Sequence, residues 1–296
     1  MSSAPAPMGT MKVTITGTGT PTPRPDRAGA GVLVEVDGLR LQFDAGRATA
    51  MRLAALGVAP GDLDAVFLTH HHSDHVMGLT DLAISRWVVP HERRGQPLVV
   101  LAPEGASADF AREMLQPYAA DLAVRQEHTE RASRAAADVT GFVAGSDPAV
   151  VWTQGEVRVS SVLVDHGPVT PSVGYRVDVP GASVVISGDC RPCEGVRVLA
   201  RGTSVLVHEA MLGEVVASGR YAPIGNYHTD CRDLGALAAE VDVPRLVLTH
   251  LIPQPTTPEQ AARFGTEVRA GGYRGDLVVA EDLTSVEIPY GSGGVA

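Results

Sequence analysis

Lysine is almost missing from this chain: Lys12 is the only one, against 23 arginines. Aromatic residues make up 4% of the 296, and cysteine occurs three times, at 190, 193 and 231. Acidic residues outnumber basic ones by 34 to 24, which gives a formal charge of −10. Surfaces that track nucleic acid are usually rich in Lys, Arg and stacking aromatics. Their shortage therefore weighs against a polyanionic partner and against docking on an anionic membrane. No stretch approaches the roughly 20 apolar residues needed to span a bilayer. Residues 1–10 have neither a basic start nor an apolar run, and read as a disordered leader rather than a signal peptide. Three cysteines cannot all pair within one chain, which points to a reducing, cytoplasmic setting.

What is present is an ordinary globular composition, 44% hydrophobic and 20% charged, sufficient for a sizeable core. Strands are expected at 12–16, 32–36 and 39–43, the last two joined by the hairpin dipeptide Asp37-Gly38. Leu63 to Leu68 is a short apolar strand, and Val76 to Trp87 has helical spacing. Further strands and helices alternate from Val157 to Ile288. No repeat or linker divides the chain, so 11–296 is read as one α/β domain of layered sheets and helices. The proline-rich segment 88–150 is read as a lid over the site or a dimer element. Arg93-Arg94 and the arginines at 125–134 are scattered among acids and alanines and read as a solvated face.

Histidine is the abundant special residue, with ten copies, four of them between positions 70 and 75. The run Thr69-His70-His71-His72-Ser73-Asp74-His75 follows an apolar strand and precedes a helix. Side chains at i and i+2 on extended backbone point the same way, so His70 and His72 can grip one metal. Asp74 and His75 lie one turn on and can face a second. Imidazole and carboxylate are the ligands of open, catalytic zinc sites. Three later apolar runs end in polar tips that could complete such a site: Asp165-His166, Ser187-Gly188-Asp189 and Thr249-His250. The same layout occurs earlier at Phe43-Asp44. His71 should point away from the cluster, and His208 reads as structural.

With these residues in this order, the chain resembles the metallo-β-lactamase fold superfamily from Thr14 to about Ile288. That resemblance implies an αββα sandwich with metals at one edge of the paired sheets. It implies that His70, His72 and His166 hold a first Zn2+, and that Asp74, His75 and His250 hold a second. Asp189 would bridge them, and Asp44 would orient a ligand histidine from behind. Mn2+ or Fe can occupy similar sites. Gly17-Thr18-Gly19-Thr20-Pro21, His208-Glu209-Ala210, His228-Thr229 and Leu248-Thr249-His250 are similar to the ribonuclease Z and arylsulfatase-like branch. There Glu209 and His228 match a carboxylate–histidine pair that acts near the leaving group. Independently, a histidine oriented by a carboxylate beside metals is a competent acid or oxyanion donor.

The tRNA-processing members carry a long basic arm between the positions matching His166 and Asp189. Only 22 residues separate those two here. With the acidic charge, this gap makes nucleic acid an unexpected partner. The sequence is therefore read as a dinuclear zinc hydrolase in which a metal-bridging hydroxide, oriented by Asp74, attacks a small molecule. A phosphodiester, sulfate ester, lactone or activated haloaromatic would suit. The alternatives are a ribonuclease Z-type tRNA 3′-end endonuclease that manages without the arm, and a metal-binding protein whose activity has lapsed. A homodimer is expected from the resemblance alone. The Cys190-Arg191-Pro192-Cys193 motif is read as packing.

Overall fold

Short, β-branched runs dominate the chain, and such runs bury best when sheets are covered on both faces. The structure, a computed structural model, describes residues 9–93, 95–129, 133–217 and 219–291, with side chains left out at 219–221. Within them the strands form two seven-stranded sheets. The first contains β1 (Gly9–Gly17), β2 (Gly31–Val36), β3 (Leu39–Phe43), β4 (Ala65–Phe67), β5 (Leu98–Pro103) and β6 (Ala137–Phe142). The second contains β7 (Ala149–Gln154), β8 (Val157–Leu163), β9 (Val173–Val179), β10 (Ala182–Ile186), β11 (Val205–Met211), β12 (Arg245–Ile252) and β13 (Asp276–Val279). The closing strand β14 (Ser285–Tyr290) returns to the first sheet and pairs antiparallel with β1.

The sheets face each other across a core of Val, Ile and Leu, with aromatics where β3, β4 and β9 meet. Phe43 stacks on Phe67 with centroids 4.8 Å apart, and Tyr175 meets both rings at an angle. The Tyr175 hydroxyl donates to the Leu68 carbonyl at 2.6 Å, so the strand end that feeds the histidine run is tied to the opposite sheet. Helices Leu79–Val88 and Ala106–Glu113 cover the outer face of the first sheet, and Glu194–Ala200, Cys231–Glu240 and Pro258–Ala270 cover the second. This is the expected αββα layering.

Two boundary expectations change. Residues 1–8 of the leader lie outside the described residues, but Gly9 and Thr10 already pair with Tyr290 and Pro289. The segment 88–150 is built into the framework: it supplies β5 and β6 to one sheet edge and leads into β7 at the edge of the other. None of its described residues lines the cavity beside the histidine cluster. Its prolines punctuate short elements instead. Arg94 and Arg131 lie outside the described residues. Arg93, Arg125 and Arg134 are engaged by Asp64, Asp121 and Gln126. No described helix is long and apolar enough to cross a membrane.

Candidate metal centre

The centre forms where strand ends from both sheets converge. The β4 strand delivers Thr69 and His70, and the turn after it passes into the short helix Ser73–Val76, which carries Asp74 and His75. The ends of β8, β10 and β12 bring His166, Asp189 and His250 to the same edge. Gly46 makes the close approach possible: a Cβ there would sit 2.2 Å from the Asp74 carbonyl oxygen. Asp44 and His250 both hold left-handed backbone, at φ 54 and φ 44. That conformation costs a non-glycine residue energy, and here it turns two polar side chains into the cluster.

Ligand-type atoms of His70, His72, His166 and Asp189 lie within 4.8 Å of one another, as do those of Asp74, His75 and His250. Asp189 belongs to a further group with His228 and His250, so it joins the two clusters. Its Oδ2 is 3.3 Å from His75 Nε2 and 3.4 Å from His250 Nε2. His71 enters none of these groups.

Hydrogen bonds on the outward ring nitrogens fix the imidazoles. His75 Nδ1 donates to Asp44 Oδ2 at 2.7 Å, and His166 Nδ1 donates to the Tyr227 carbonyl at 3.0 Å. Thr69 donates through both its N–H and its hydroxyl to Asp44, so its oxygen is left to accept from His70 Nδ1 at 3.0 Å. The inward Nε2 atoms of His70 and His75 are buried without a hydrogen-bond partner. Buried polar atoms are nearly always paired, and orphaned lone pairs converging between carboxylates fit a divalent cation. Asp44 therefore sits behind the cluster, and Thr69 and the Tyr227 carbonyl also bond the outward ring nitrogens. No spacing rule points to a backbone carbonyl in a distant loop.

Electrostatics divide the cluster. Burial pushes His70 well down and His72 down to about 4. Burial also lowers His166. All three are thus held neutral, the state in which imidazole binds metal. At His75 burial pushes down too, but Asp189, Asp44 and Asp74 outweigh it and hold the ring well above its ordinary range. Burial raises Asp189, yet His250 and His75 overcome it and keep the carboxylate ionised.

Beside this cluster, His228 Nδ1 lies 2.9 Å from Glu209 Oε1. The same oxygen accepts from the N–H groups of Cys190 and Thr229, each at 3.2 Å. Burial lowers His228, but Glu209, through charge and hydrogen bond, and Asp189 raise it to about 9. The His228 ring stacks on that of His250 at 5.7 Å. A cavity of about 420 Å³ opens onto His72, Asp74, Asp189, His228 and His250. One wall is apolar, from Val216, Ile224, Tyr227 and Ile252, and Arg24 stands at the rim.

The family model described as "Beta-lactamase superfamily domain" matches residues 39–251. Over 269 residues, 35% are identical to the protein named Ribonuclease Z of Mycobacterium bovis (strain BCG / Pasteur 1173P2), covering 88% of this chain and 92% of that one. Among solved structures, the metallo-beta-lactamase fold protein YhfI from Bacillus subtilis superposes with a TM-score of 0.71 at 20% identity, over 94% of this chain and 99% of that one. The short form of human tRNase Z gives 0.67 at 21% identity, over 94% and 99%.

These relatives overturn the expected small-molecule substrate and the expected absence of nucleic acid. Only the hairpin of β9 and β10 lies between His166 and Asp189, so the arm is indeed missing. The mycobacterial relative, matched over 92% of its own length, carries the name Ribonuclease Z at nearly this size. A short chain between those two residues therefore does not exclude RNA. Net charge does not exclude it either, because binding responds to the local field at a site rather than to the sum over the surface.

Proposed function

The chain belongs to the beta-lactamase superfamily of metal-dependent hydrolases, and from that premise we propose that it is a ribonuclease Z-type endonuclease that cuts precursor tRNA at its 3′ side. The observation that carries this reading is the full-length similarity to a ribonuclease Z, taken with a cluster of seven convergent His and Asp side chains beside Glu209–His228.

In this reading His70, His72 and His166 hold one metal, Asp74, His75 and His250 hold another, and Asp189 serves both. The donor set suits Zn2+, with Mn2+ or Fe2+ as substitutes. When bound, such ions lower the pKa of water to about 7 and polarise a phosphoryl oxygen. The protein's own part follows from its geometry. Asp74 lies at the cavity floor, where its carboxylate can orient the attacking water and accept its proton. His228 Nδ1–H is held by Glu209, which aims Nε2–H at the departing ribose oxygen. The apolar wall excludes water around the scissile phosphodiester.

A homodimer is supported by a second groove that Met77, Phe110 and Tyr118 line on the outer helical layer. Three free cysteines suit a reducing cytoplasm.

The test is cleavage of a precursor tRNA with a 3′ trailer by metal-loaded protein. A single cut at the acceptor end, lost on chelation and in Asp189→Ala, is the expected result. The reading fails if the precursor stays intact while the same preparation hydrolyses bis(p-nitrophenyl) phosphate.

A further inference from the structure

The turn between β13 and β14 carries a buried carboxylate that the hydrolytic site does not use. The side chain of Asp282 is only 6% exposed, and four donors converge on it. Its Oδ1 accepts from the Thr18 N–H at 2.9 Å and from the Thr18 hydroxyl at 2.7 Å. Its Oδ2 accepts from the Ala28 N–H at 2.7 Å and from Arg52 Nε at 2.8 Å, on the helix Thr49–Ala55. A buried charge persists where hydrogen bonds replace its water, and these four all come from outside the turn. The turn is itself anchored. Leu283 N–H donates to the Ile15 carbonyl at 2.7 Å, and Ile15 N–H donates to the Thr284 carbonyl at 2.9 Å. Leu283 holds left-handed backbone at φ 70, a conformation that costs a non-glycine residue energy.

Thr18 and Ala28 are the two ends of one loop. Gly19 N–H also donates to the Ala28 carbonyl at 2.8 Å, and a Cβ on Gly19 would lie 2.5 Å from that carbonyl oxygen. The ends therefore close with no room for a side chain. Within the loop, Thr20, Pro21, Thr22 and Arg24 line the cavity beside the His–Asp cluster. Gln254 ties the same stretch down: its Nε2 donates to the Thr20 hydroxyl at 2.8 Å and to the Thr22 carbonyl at 2.7 Å. Past the clamp, Gly29 is held separately, by its N–H to the Arg47 carbonyl at 3.0 Å. There a Cβ on Gly29 would meet the Asp74 carbonyl oxygen at 2.6 Å. The backbone behind Asp74 thus has its own support.

We propose that Asp282 is a positioning residue for the substrate: by clamping both ends of the loop it fixes the cavity wall at 20–24, and so governs substrate binding rather than the chemical step. This rests on the ribonuclease reading only for the choice of precursor tRNA as substrate. Asp282 neither lines the cavity nor joins the His–Asp groups, so it acts through the loop alone. Asp282→Asn places one NH2 in the clamp. Whichever way the amide lies, two of the four donors face another donor, and one end of the loop comes free. The substitution also removes a negative charge, which by itself would tighten binding of a polyanion. The clamp predicts the opposite sign.

Steady-state kinetics of metal-loaded wild type, Asp282→Asn and Thr18→Val are compared on precursor tRNA and on bis(p-nitrophenyl) phosphate, with metal content measured alongside. Asp282→Asn should raise KM about tenfold or more for the precursor and about threefold for the small diester, with kcat within about twofold and metal content unchanged. Thr18→Val removes one donor to Asp282 and the acceptor of Arg27 Nη1 without changing charge, and should raise both KM values about threefold. It carries the test where Asp282→Asn fails to fold. A merely structural clamp would lower kcat through loss of folded enzyme and leave KM alone. That result overturns the proposal, as do KM values within about twofold of wild type on every substrate that the wild type cleaves. A precursor that stays intact while the small diester is hydrolysed overturns the ribonuclease reading instead, and KM for the diester then decides the role of Asp282.

Discussion

Glu209→Gln removes the charge of one buried group and leaves its shape. Glu209 Oε1 accepts from His228 Nδ1, Cys190 N and Thr229 N, and an amide oxygen can keep all three bonds. What disappears is the larger of the two carboxylate contributions, Glu209 ahead of Asp189, that against burial raise His228 from 6.5 to about 9. At 1.36 kcal/mol per unit, that rise is worth about 3 kcal/mol between the two protonation states. The side chain of His228 is 7% exposed, so solvent screening removes little of it. Because the folded-state value is raised, the stabilisation is complete below the unfolded value near 6.5 and is lost as pH climbs through about 9. Thermal unfolding of chelated protein reads this directly. Wild type should melt about 5 °C above Glu209→Gln near pH 6, and the gap should close by about pH 9.5. In metal-loaded protein, the alkaline limb of kcat should move to lower pH in the variant, because a neutral His228 cannot donate to the leaving oxygen. Equal melting at every pH, together with an unmoved alkaline limb, would refute both the pairing and the acid role.

Asp189→Ala removes the one carboxylate common to both clusters, so metal content measured by elemental analysis should fall by at least half and kcat by about a hundredfold or more. Asp44→Asn can keep the Thr69 N–H bond but puts an NH2 where Oδ2 accepts from the Thr69 hydroxyl and His75 Nδ1, so the hold on His75 is lost; competition with a chelator should show metal affinity about 10- to 100-fold lower. Tyr175→Phe strands the buried Leu68 carbonyl, which should lower stability by about 1–3 kcal/mol in denaturant titration. Its effect on kcat should exceed its effect on KM, because the same strand end positions His70.

The fold is legible where local and tertiary preferences agree. Asp37-Gly38 joins β2 to β3 with both residues at positive φ, at 50° and 75°, as a two-residue hairpin demands. The helix read over 76–87 is real but broken: the turn Ser73–Val76 ends before Gly78, and a Cβ at Gly78 would meet the Gly46 carbonyl oxygen at 2.2 Å. Helical periodicity cannot report that collision, because the partner lies 32 residues away. The segment 88–150 reads as irregular for a related reason. Its strands β6 and β7 are half-exposed at sheet edges, so they lack the continuous apolar runs that mark β10 and β11. Prolines between short elements then look like an irregular insertion.

At the site, side chains that must carry charge or a lone pair announce themselves by type and order. The groups that aim them do not. Any residue can supply the Tyr227 carbonyl that holds His166, and any threonine can supply the relay through Thr69. The same asymmetry explains why the charge count misled. A total of −10 averages over a surface where most arginines are already spent on nearby acids: Arg112 on Glu104, Arg197 on Glu240, Arg245 on Asp276. In the proposed reading, what an RNA phosphate would meet is a short radius around the His–Asp cluster, within the screening length of about 8–10 Å beyond which the remaining acids fade. Divalent ions held at Asp189 would reverse the sign inside that radius. An acidic protein with one lysine can therefore cut a polyanion, provided it grips the chain at the scissile bond rather than along its length.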